Sequence, residues 1–406
     1  MARNDPERRS RRLARFLLDS SPMWRIALMS LLASCAGSVG THGSPDGAPD
    51  GSAADGGHGA DPDPVLEPAP PPPVVVSSED RGFLSKPPAV LGRDGGMATV
   101  IAGRLVWVFG DTLMTVAAAD TGLTIRSSTA ARGPAGPWTA DTNLLEEPVD
   151  GGGAPFEAIQ FTADELAFNA GNFPQNGKRV AHWISGLLAA PGADEGLVFF
   201  EKVDCEGASF QSRGEMWTDV LRDPALVSDG QPSLLFAPGQ RTFRPSELVD
   251  GAWAYFLAAE LDFVAFDYYV ARAPIDRARD PGAYQYWNGS AWVATQEGLA
   301  RMPGAVMGGN VASISWNPHL GKYLMVSSAP ATIQLRVADS PVGAWSEVVE
   351  VSAGVAPPFE GAPFGNYAGH EQPALRSADG RTIAVSYFNP TGEFTGHVRL
   401  ITITLE

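Results

Sequence analysis

The stretch "GRDGGMATVIAGRLVWVFGDT", residues 92–112, contains two apolar runs on either side of Ala102-Gly103. Val, Ile, Trp and Phe favour strands, and a Gly-containing pair between such runs is typical of a two-residue hairpin turn. Neither run alternates apolar with polar residues, which predicts strands that are buried on both faces. The stretch therefore predicts a buried hairpin with one acid at each open end, Asp94 and Asp111.

The turn also predicts how the two strands pair. If Ala102 and Gly103 form the turn, Val100 opposes Leu105 and Asp94 opposes Asp111. Opposed residues lie about 4.5–5.5 Å apart and point to the same face. Two close carboxylates repel each other, so one of them should have a raised pKa. A protonated acid beside an ionised carboxylate is the pair that glycoside hydrolysis requires. The alternative is that each aspartate caps its neighbouring turn.

The same kind of strand recurs along the chain. Each copy is an apolar run that follows a glycine turn, and most copies have a strand-like run on both sides; the five begin at Gly103, Gly196, Gly251, Gly321 and Gly380. Repeated units of about this length and strand content are typical of propeller blades. The predicted fold is all-β, a five-bladed β-propeller over residues 80–406.

The N-terminal segments have a different composition. In residues 1–35 a short apolar run, "IALMSLLAS", ends in Leu-Ala-Ser before Cys35, which is the pattern of a bacterial lipoprotein signal; plain secretion is the alternative. Residues 36–79 are rich in Gly, Pro and Asp and cannot bury a core, so we expect a disordered tether. The expected location is the bacterial cell surface, at the outer membrane or the periplasmic face, with Cys35 carrying the lipid.

Charge and cysteine content narrow the possible partners. The formal net charge of −17 would repel phosphate backbones, which disfavours nucleic acid as a partner. Once Cys35 is assigned to the lipid anchor, Cys205 has no partner for an internal disulfide, so we expect a buried thiol. We expect a monomer that contacts the membrane only through its lipid.

Polar residues should gather at one mouth of the propeller channel, because the first strand of each blade runs along it. Counting back from each glycine turn places five polar residues near that mouth: Arg244, Glu247, Asn310, His370 and Glu371. Arg93 precedes Asp94 in the first blade, and His182 is the obvious polar candidate in the second. Such a ring is a plausible sugar site, although each residue alone also has an ordinary structural interpretation.

Several motifs resemble a known family. They are Arg-Asp-Gly-Gly at 93–96, "LVWVFGDT" at 105–112, "SPVGAW" at 340–345 and "WNPHLGKYLMV" at 316–326. The chain resembles the family called domain of unknown function 4185 and, more distantly, propeller glycoside hydrolases of the arabinanase and levansucrase type. Some members of that family are endo-acting D-arabinan hydrolases with paired aspartates in the first blade, which would be Asp94 and Asp111. In the wider superfamily a glutamate from a later blade is the acid; Glu247 matches best and Glu371 second.

The sequence therefore predicts a cell-surface glycoside hydrolase that acts on a furanose-containing, D-arabinan-like polysaccharide. Asp94, Asp111 and Glu247 are its expected catalytic residues, and the remaining channel-mouth residues would bind substrate. We expect no required cofactor; related propellers can hold a channel calcium, and His182 and His370 are the ligand candidates here. The alternatives are a non-catalytic glycan-binding lipoprotein and a protein-interaction propeller.

Overall fold

The computed structural model describes residues 68–173, 175–207, 209–262, 265–307, 311–362, 364–392 and 395–406. Within these residues the strands form five separate sheets. The first sheet contains β2 (Val90–Ile101), β3 (Arg104–Met114), β4 (Ile125–Arg126) and β5 (Thr129–Gly133). The second contains β6 (Lys178–Leu188), β7 (Glu195–Glu206), β8 (Ser209–Arg222), β9 (Val227–Ser228) and β10 (Ser233–Phe236).

The third sheet is the largest and contains β11 (Arg244–Asp250), β12 (Trp253–Asp262), β13 (Ala265–Pro274), β14 (Gln285–Trp287), β15 (Trp292–Val293) and β16 (Val306–Met307). The fourth contains β17 (Ala312–Asn317), β18 (Lys322–Ala329), β19 (Thr332–Ala338) and β20 (Val349–Val351). The fifth contains β21 (Tyr367–Glu371), β22 (Thr382–Gly392), β23 (Thr395–Leu405) and β1 (Val75–Phe83). Short 3-10 helices lie at Ala140–Asn143, Ile275–Arg277, Pro281–Ala283 and Pro373–Leu375.

These sheets are the blades of a propeller, which confirms the predicted fold class. Their first strands, β2, β6, β11, β17 and β21, contact one another in turn, and β21 returns to β2. Each pair of neighbouring blades shares its own apolar layer; Phe199 of the second blade, for example, packs on Phe256 of the third. Because both faces of every blade are covered in this way, the strands are apolar on both sides.

The fifth blade is completed by the N-terminal strand. β1 pairs antiparallel with β23, from Val75 opposite Leu405 to Phe83 opposite Arg399. The described fold therefore begins at Val75, and the predicted boundary at residue 80 falls inside this strand. The strand is mostly exposed and polar, which is why it has the composition of the preceding tether and not that of a core strand.

The first hairpin follows the predicted register only in part. Ala102 and Gly103 have φ values of 50° and 74°, as a type I′ turn requires, and Val100 opposes Leu105. Further from the turn, Gly95 opposes Phe109 and not Gly110, and the predicted register resumes where Arg93 opposes Thr112. A β-bulge therefore sets Asp94 against two residues of β3, Gly110 and Asp111.

One helix, α1 (Ala163–Asn172), precedes the second blade. Its Asn169 side chain accepts from the backbone N–H of Val180 at 2.8 Å and donates to the Val180 carbonyl at 3.0 Å. These bonds fix the helix to β6 near the start of that strand. No helix among the described residues is long and apolar enough to cross a membrane.

Candidate active site at the channel mouth

The bulge in the first hairpin brings the carboxyl of Asp94 onto the backbone of Gly110. A Cβ at position 110 would lie 2.2 Å from Asp94 Oδ1, so only glycine leaves room for this carboxyl. On its other side, Asp94 Oδ2 accepts a hydrogen bond from the hydroxyl of Tyr367 at 3.3 Å. Tyr367 begins β21, so the first and last blades together position this acid.

The surroundings of Asp94 favour its protonated form. Burial, and next the negative charge of Asp111, raise the pKa of Asp94 to about 7, against the opposing effects of the Tyr367 hydroxyl, Arg179 and the Asp111 backbone. Its side chain is nevertheless partly open to solvent. Asp94 is therefore an acid that can carry and release a proton near neutral pH.

Asp111 lies in different surroundings, between two side chains of the second blade. Its Oδ2 accepts from Arg179 Nη2 at 2.5 Å, and its Oδ1 accepts from the indole Nε1 of Trp183 at 3.1 Å. Arg179 is itself held by Ser127, whose Oγ lies 3.1 Å from Nη1. The Asp111 carboxylate is thus bound by a neighbouring blade, which is not what a local turn cap would show, and 24% of its side chain stays exposed.

Glu247 and His370 form a second pair of acid and imidazole. Glu247 has a φ of 66° in a bulge between Pro245 and Val249, and its side chain is 7% exposed. Its Oε1 lies 3.7 Å from His370 Nδ1, beyond hydrogen-bond distance, and neither atom has a hydrogen-bond partner. Burial, and then the charge of Glu371, raise the pKa of Glu247 well above its ordinary value. Burial lowers the pKa of His370 to about 4, so this imidazole is uncharged at neutral pH.

Three of the predicted substrate-binding residues, Arg93, His370 and Glu371, are buried in the structure. Arg93 forms an ion pair with Glu147, and its guanidinium lies 3.6 Å from the centre of the Phe109 ring. Glu371 is fully buried, accepts from the hydroxyl of Ser315 and lies 3.3 Å from Arg376. Arg93 and Glu371 are therefore bound to partners within the protein and present little or no surface to a ligand.

Arg244 is the most exposed of the substrate-binding candidates that the structure describes. Its side chain is 24% exposed and donates to Glu201 Oε1 at 2.6 Å. Together with His370 and Ser185 it lines a small pocket among the first strands of the blades. The predicted residues Asn310 and Cys35 lie outside the described residues.

Three site residues were not identified from the sequence: Arg179, Trp183 and Tyr367. For the second blade, sequence reasoning chose His182, but its ring lies 4.4 Å from that of Phe161 and 5.0 Å from that of Phe200 in a buried layer. Residues 179, 181 and 183 share one side of β6, and His182 points to the other. The alternation of side chains along the strand could have revealed this site, because it places Arg179 and Trp183 on a common face of "KRVAHW", residues 178–183.

The described residues contain no group of three or more His, Cys, Asp or Glu that could hold a metal ion. His182 contacts Glu165, whereas His370 faces Glu247, so the two histidines belong to different clusters. Cys205 is buried, and burial raises the pKa of its thiol to about 12. This confirms the expected buried thiol.

Comparison with known families confirms the resemblance found in the sequence. Residues 206–390 match the family described as Domain of unknown function (DUF4185). The matched range runs from the end of β7 into β22, so the first hairpin with Asp94 and Asp111 lies outside it. None of the curated proteins matches this chain in sequence.

Several solved structures are similar to this chain at low identity. An α-L-arabinofuranosidase from Podospora anserina, solved with cellotriose, is 13% identical, with a TM-score of 0.44 over 82% of this chain and 98% of its own. The catalytic domain of a GH62 α-L-arabinofuranosidase from Coprinopsis cinerea is 11% identical, with a TM-score of 0.44 over 82% and 98%. A β-1,2-mannobiose phosphorylase from Listeria innocua is 11% identical, with a TM-score of 0.37 over 81% and 97%.

Proposed function

We propose that this propeller is a glycoside hydrolase that cleaves a furanose-containing polysaccharide of the D-arabinan type. The observation that carries the proposal is the pair Asp94 and Asp111, two neighbouring carboxyl groups in opposite surroundings. Burial raises the pKa of Asp94 to about 7, whereas Asp111 is ion-paired with Arg179. A pair of titratable groups whose environments differ in this way has the features of an acid and its partner carboxylate. The substrate class comes from the family that the sequence resembles.

In this proposal the two aspartates divide the reaction between them. Protonated Asp94 donates its proton to the glycosidic oxygen as the bond to the leaving sugar breaks. The ionised Asp111 supplies negative charge at the anomeric carbon, either as the nucleophile or as the base that activates water. Arg179 and Trp183 hold Asp111 in place, since each binds one of its two oxygens.

Glu247 is the competing candidate for the acid. Its raised pKa favours the protonated form that an acid needs. In the wider superfamily that the sequence resembles, the acid lies on a later blade. The two candidates can be separated with aryl arabinofuranosides, because a 4-nitrophenolate leaving group needs no proton. If Asp94 is the acid, Asp94→Asn keeps most of its kcat/KM on the aryl substrate, which reports cleavage of the bond to the leaving group, and loses it on polysaccharide. Glu247→Gln would show that pattern instead if Glu247 is the acid.

The function itself is tested by reducing-sugar release from arabinans, fructans and arabinogalactan. We expect release from at least one furanose polymer, with Asp94→Asn and Asp111→Asn each at least about a hundredfold slower on polysaccharide. Circular dichroism and thermal melts of both variants establish that they remain folded. Binding of a polymer without release of reducing ends would instead support the non-catalytic glycan-binding protein. A stable protein partner with neither activity would support the interaction propeller.

The location of the protein is part of the proposal. An exported, lipid-anchored enzyme would act on polysaccharide at the cell surface, with acylated Cys35 as the anchor. Metabolic labelling with palmitate in a bacterial host tests this, and Cys35→Ser is the matched variant. We expect label and membrane fractionation only with Cys35 present; an unlabelled, soluble wild-type protein would contradict the anchor.

A further inference from the structure

An aromatic pair of the second blade lies directly beside the proposed catalytic carboxylate. The rings of Trp183 and Phe210 pack edge to face, with centroids 4.9 Å apart and an interplanar angle of 64°. Both side chains are only partly buried. The indole N–H of Trp183 is bonded to Asp111 Oδ1, so the polar edge of this ring points at the site and its carbon faces make the remaining contacts.

The pair rests on a small apolar layer of its own. Beneath the two rings lie Ala181, Val203 and Cys205, all buried. Phe210 opposes Cys205, and Cys205 opposes Arg179, so the three side chains share one face across three strands. A continuous row thus runs from the Asp111–Arg179 ion pair out to Phe210.

The hairpin that carries Phe210 is braced. Glu201 opposes Met216, but Val203 opposes Ser212, so β8 has extra residues at this point and the end of the β7–β8 hairpin bends. Arg213, within the bulge, pairs with Asp204 at 2.6 Å across the two strands. The aromatic pair is therefore supported by a hydrogen-bonded ladder and a salt bridge, which suits a surface that must hold its shape when a ligand binds.

We propose that Trp183 and Phe210 form a sugar-binding subsite that takes a neutral ring of the polysaccharide next to the bond being cleaved. A sugar ring has apolar C–H faces and hydroxyl edges, and it matches an aromatic surface bordered by charged groups, here Asp111 and Arg179. Such mixed surfaces, apolar with a few placed polar groups, are typical of ligand sites. The identity of the ligand as a sugar of the cleaved polymer rests on the proposed function.

The test measures binding separately from hydrolysis. Phe210→Ala and Phe210→Leu are made in the Asp94→Asn background, and arabinan oligosaccharides are titrated by calorimetry. Leu keeps the apolar layer filled but lacks a ring face, so both variants should weaken binding, by about tenfold, while Phe210→Trp retains it. The control is Trp316→Ala, since Trp316 is 46% exposed and packs edge to face on Tyr323 at 5.1 Å, on the fourth blade away from Asp111. This control should bind like its parent.

The outcomes separate the two proposals. Unchanged affinity in folded Phe210→Leu, equal losses in Trp316→Ala, or no binding of any oligosaccharide to the parent would each overturn the subsite. If Phe210 variants lose affinity but the unmodified protein releases no reducing ends, the subsite stands and the hydrolase proposal fails. If hydrolysis proceeds and the KM for oligosaccharides is the same with Leu at position 210, the hydrolase stands and the subsite fails.

Discussion

Replacing Gly110 with alanine should disable the proposed site and leave the propeller intact. An added Cβ would lie 2.2 Å from Asp94 Oδ1, whereas real Cβ contacts are essentially never under 3.0 Å. The carboxyl oxygen must therefore move by at least 0.8 Å, the difference between these two distances. The clash is with the end of a side chain and not with backbone, and Gly110 is not among the positive-φ glycines, so folding should tolerate alanine.

The expected loss follows from that displacement. A misplacement of about 1 Å in a reacting group can reduce turnover by about a hundredfold. We expect Gly110→Ala to lower kcat on polysaccharide by about that factor while the thermal midpoint stays within a few degrees of the parent. The assay is reducing-sugar release with a melting curve on the same preparation.

The matched control is Gly151→Ala, because a Cβ at Gly151 has nothing within 4 Å and its φ is not positive. This control should keep full activity. Full activity of Gly110→Ala would refute the placement of Asp94. A loss of activity that occurs only together with unfolding would refute the claim that the glycine serves the acid.

Three further predictions concern the acid and the blade closure. Activity should fall as pH rises through about 7, because Asp94 then loses its proton. The Tyr367 hydroxyl lowers this pKa, so Tyr367→Phe should move the fall of kcat at high pH upward by about 0.5–1 pH unit. Because the folded state keeps the Asp94 proton to higher pH than the unfolded chain, stability falls between about pH 4 and 7. Asp94→Asn should therefore melt higher than its parent at about pH 8, and this gain should shrink at about pH 4 in calorimetry. A chain that begins at Leu84 lacks β1 and should melt at least about 5 °C below one that begins at residue 68; equal melting would show that β1 does not hold the fifth blade together.

Local patterns in the sequence predicted the parts of the fold that local chemistry determines. The Ala102-Gly103 turn and the pairing of Val100 with Leu105 follow from turn geometry and alternation, and both are confirmed. The pairing rule is interrupted at Gly95, because a bulge is a departure from alternation, and it resumes where Arg93 opposes Thr112. β1 was missed since it is exposed and closes a blade whose other strands lie at the far end of the chain.

The site was harder to predict because its members come from different blades. Arg179 and Tyr367 reach the aspartates only when three blades close around the channel, and no local pattern records that contact. Arg93 and Glu371 illustrate a related limit, since a charged residue near a glycine has the same appearance in sequence whether it binds a ligand or a buried partner. Arg93 pairs with Glu147 and Glu371 accepts from Ser315, and both contacts form only when the chain folds.

The central claim is that Asp94 is an acid whose pKa is raised by burial and by the charge of Asp111. It is tested most directly by following the chemical shift of the Asp94 carboxyl carbon as a function of pH. Carbon-13 NMR of protein labelled at aspartate, with the Asp94 signal assigned from Asp94→Asn, gives this pKa without any substrate. The structure predicts a midpoint near 7 that falls in Asp111→Asn, because the charge of Asp111 is one of the causes of the raised pKa. A midpoint at the ordinary aspartate value that does not respond to Asp111→Asn would contradict the acid pair and the hydrolase that rests on it.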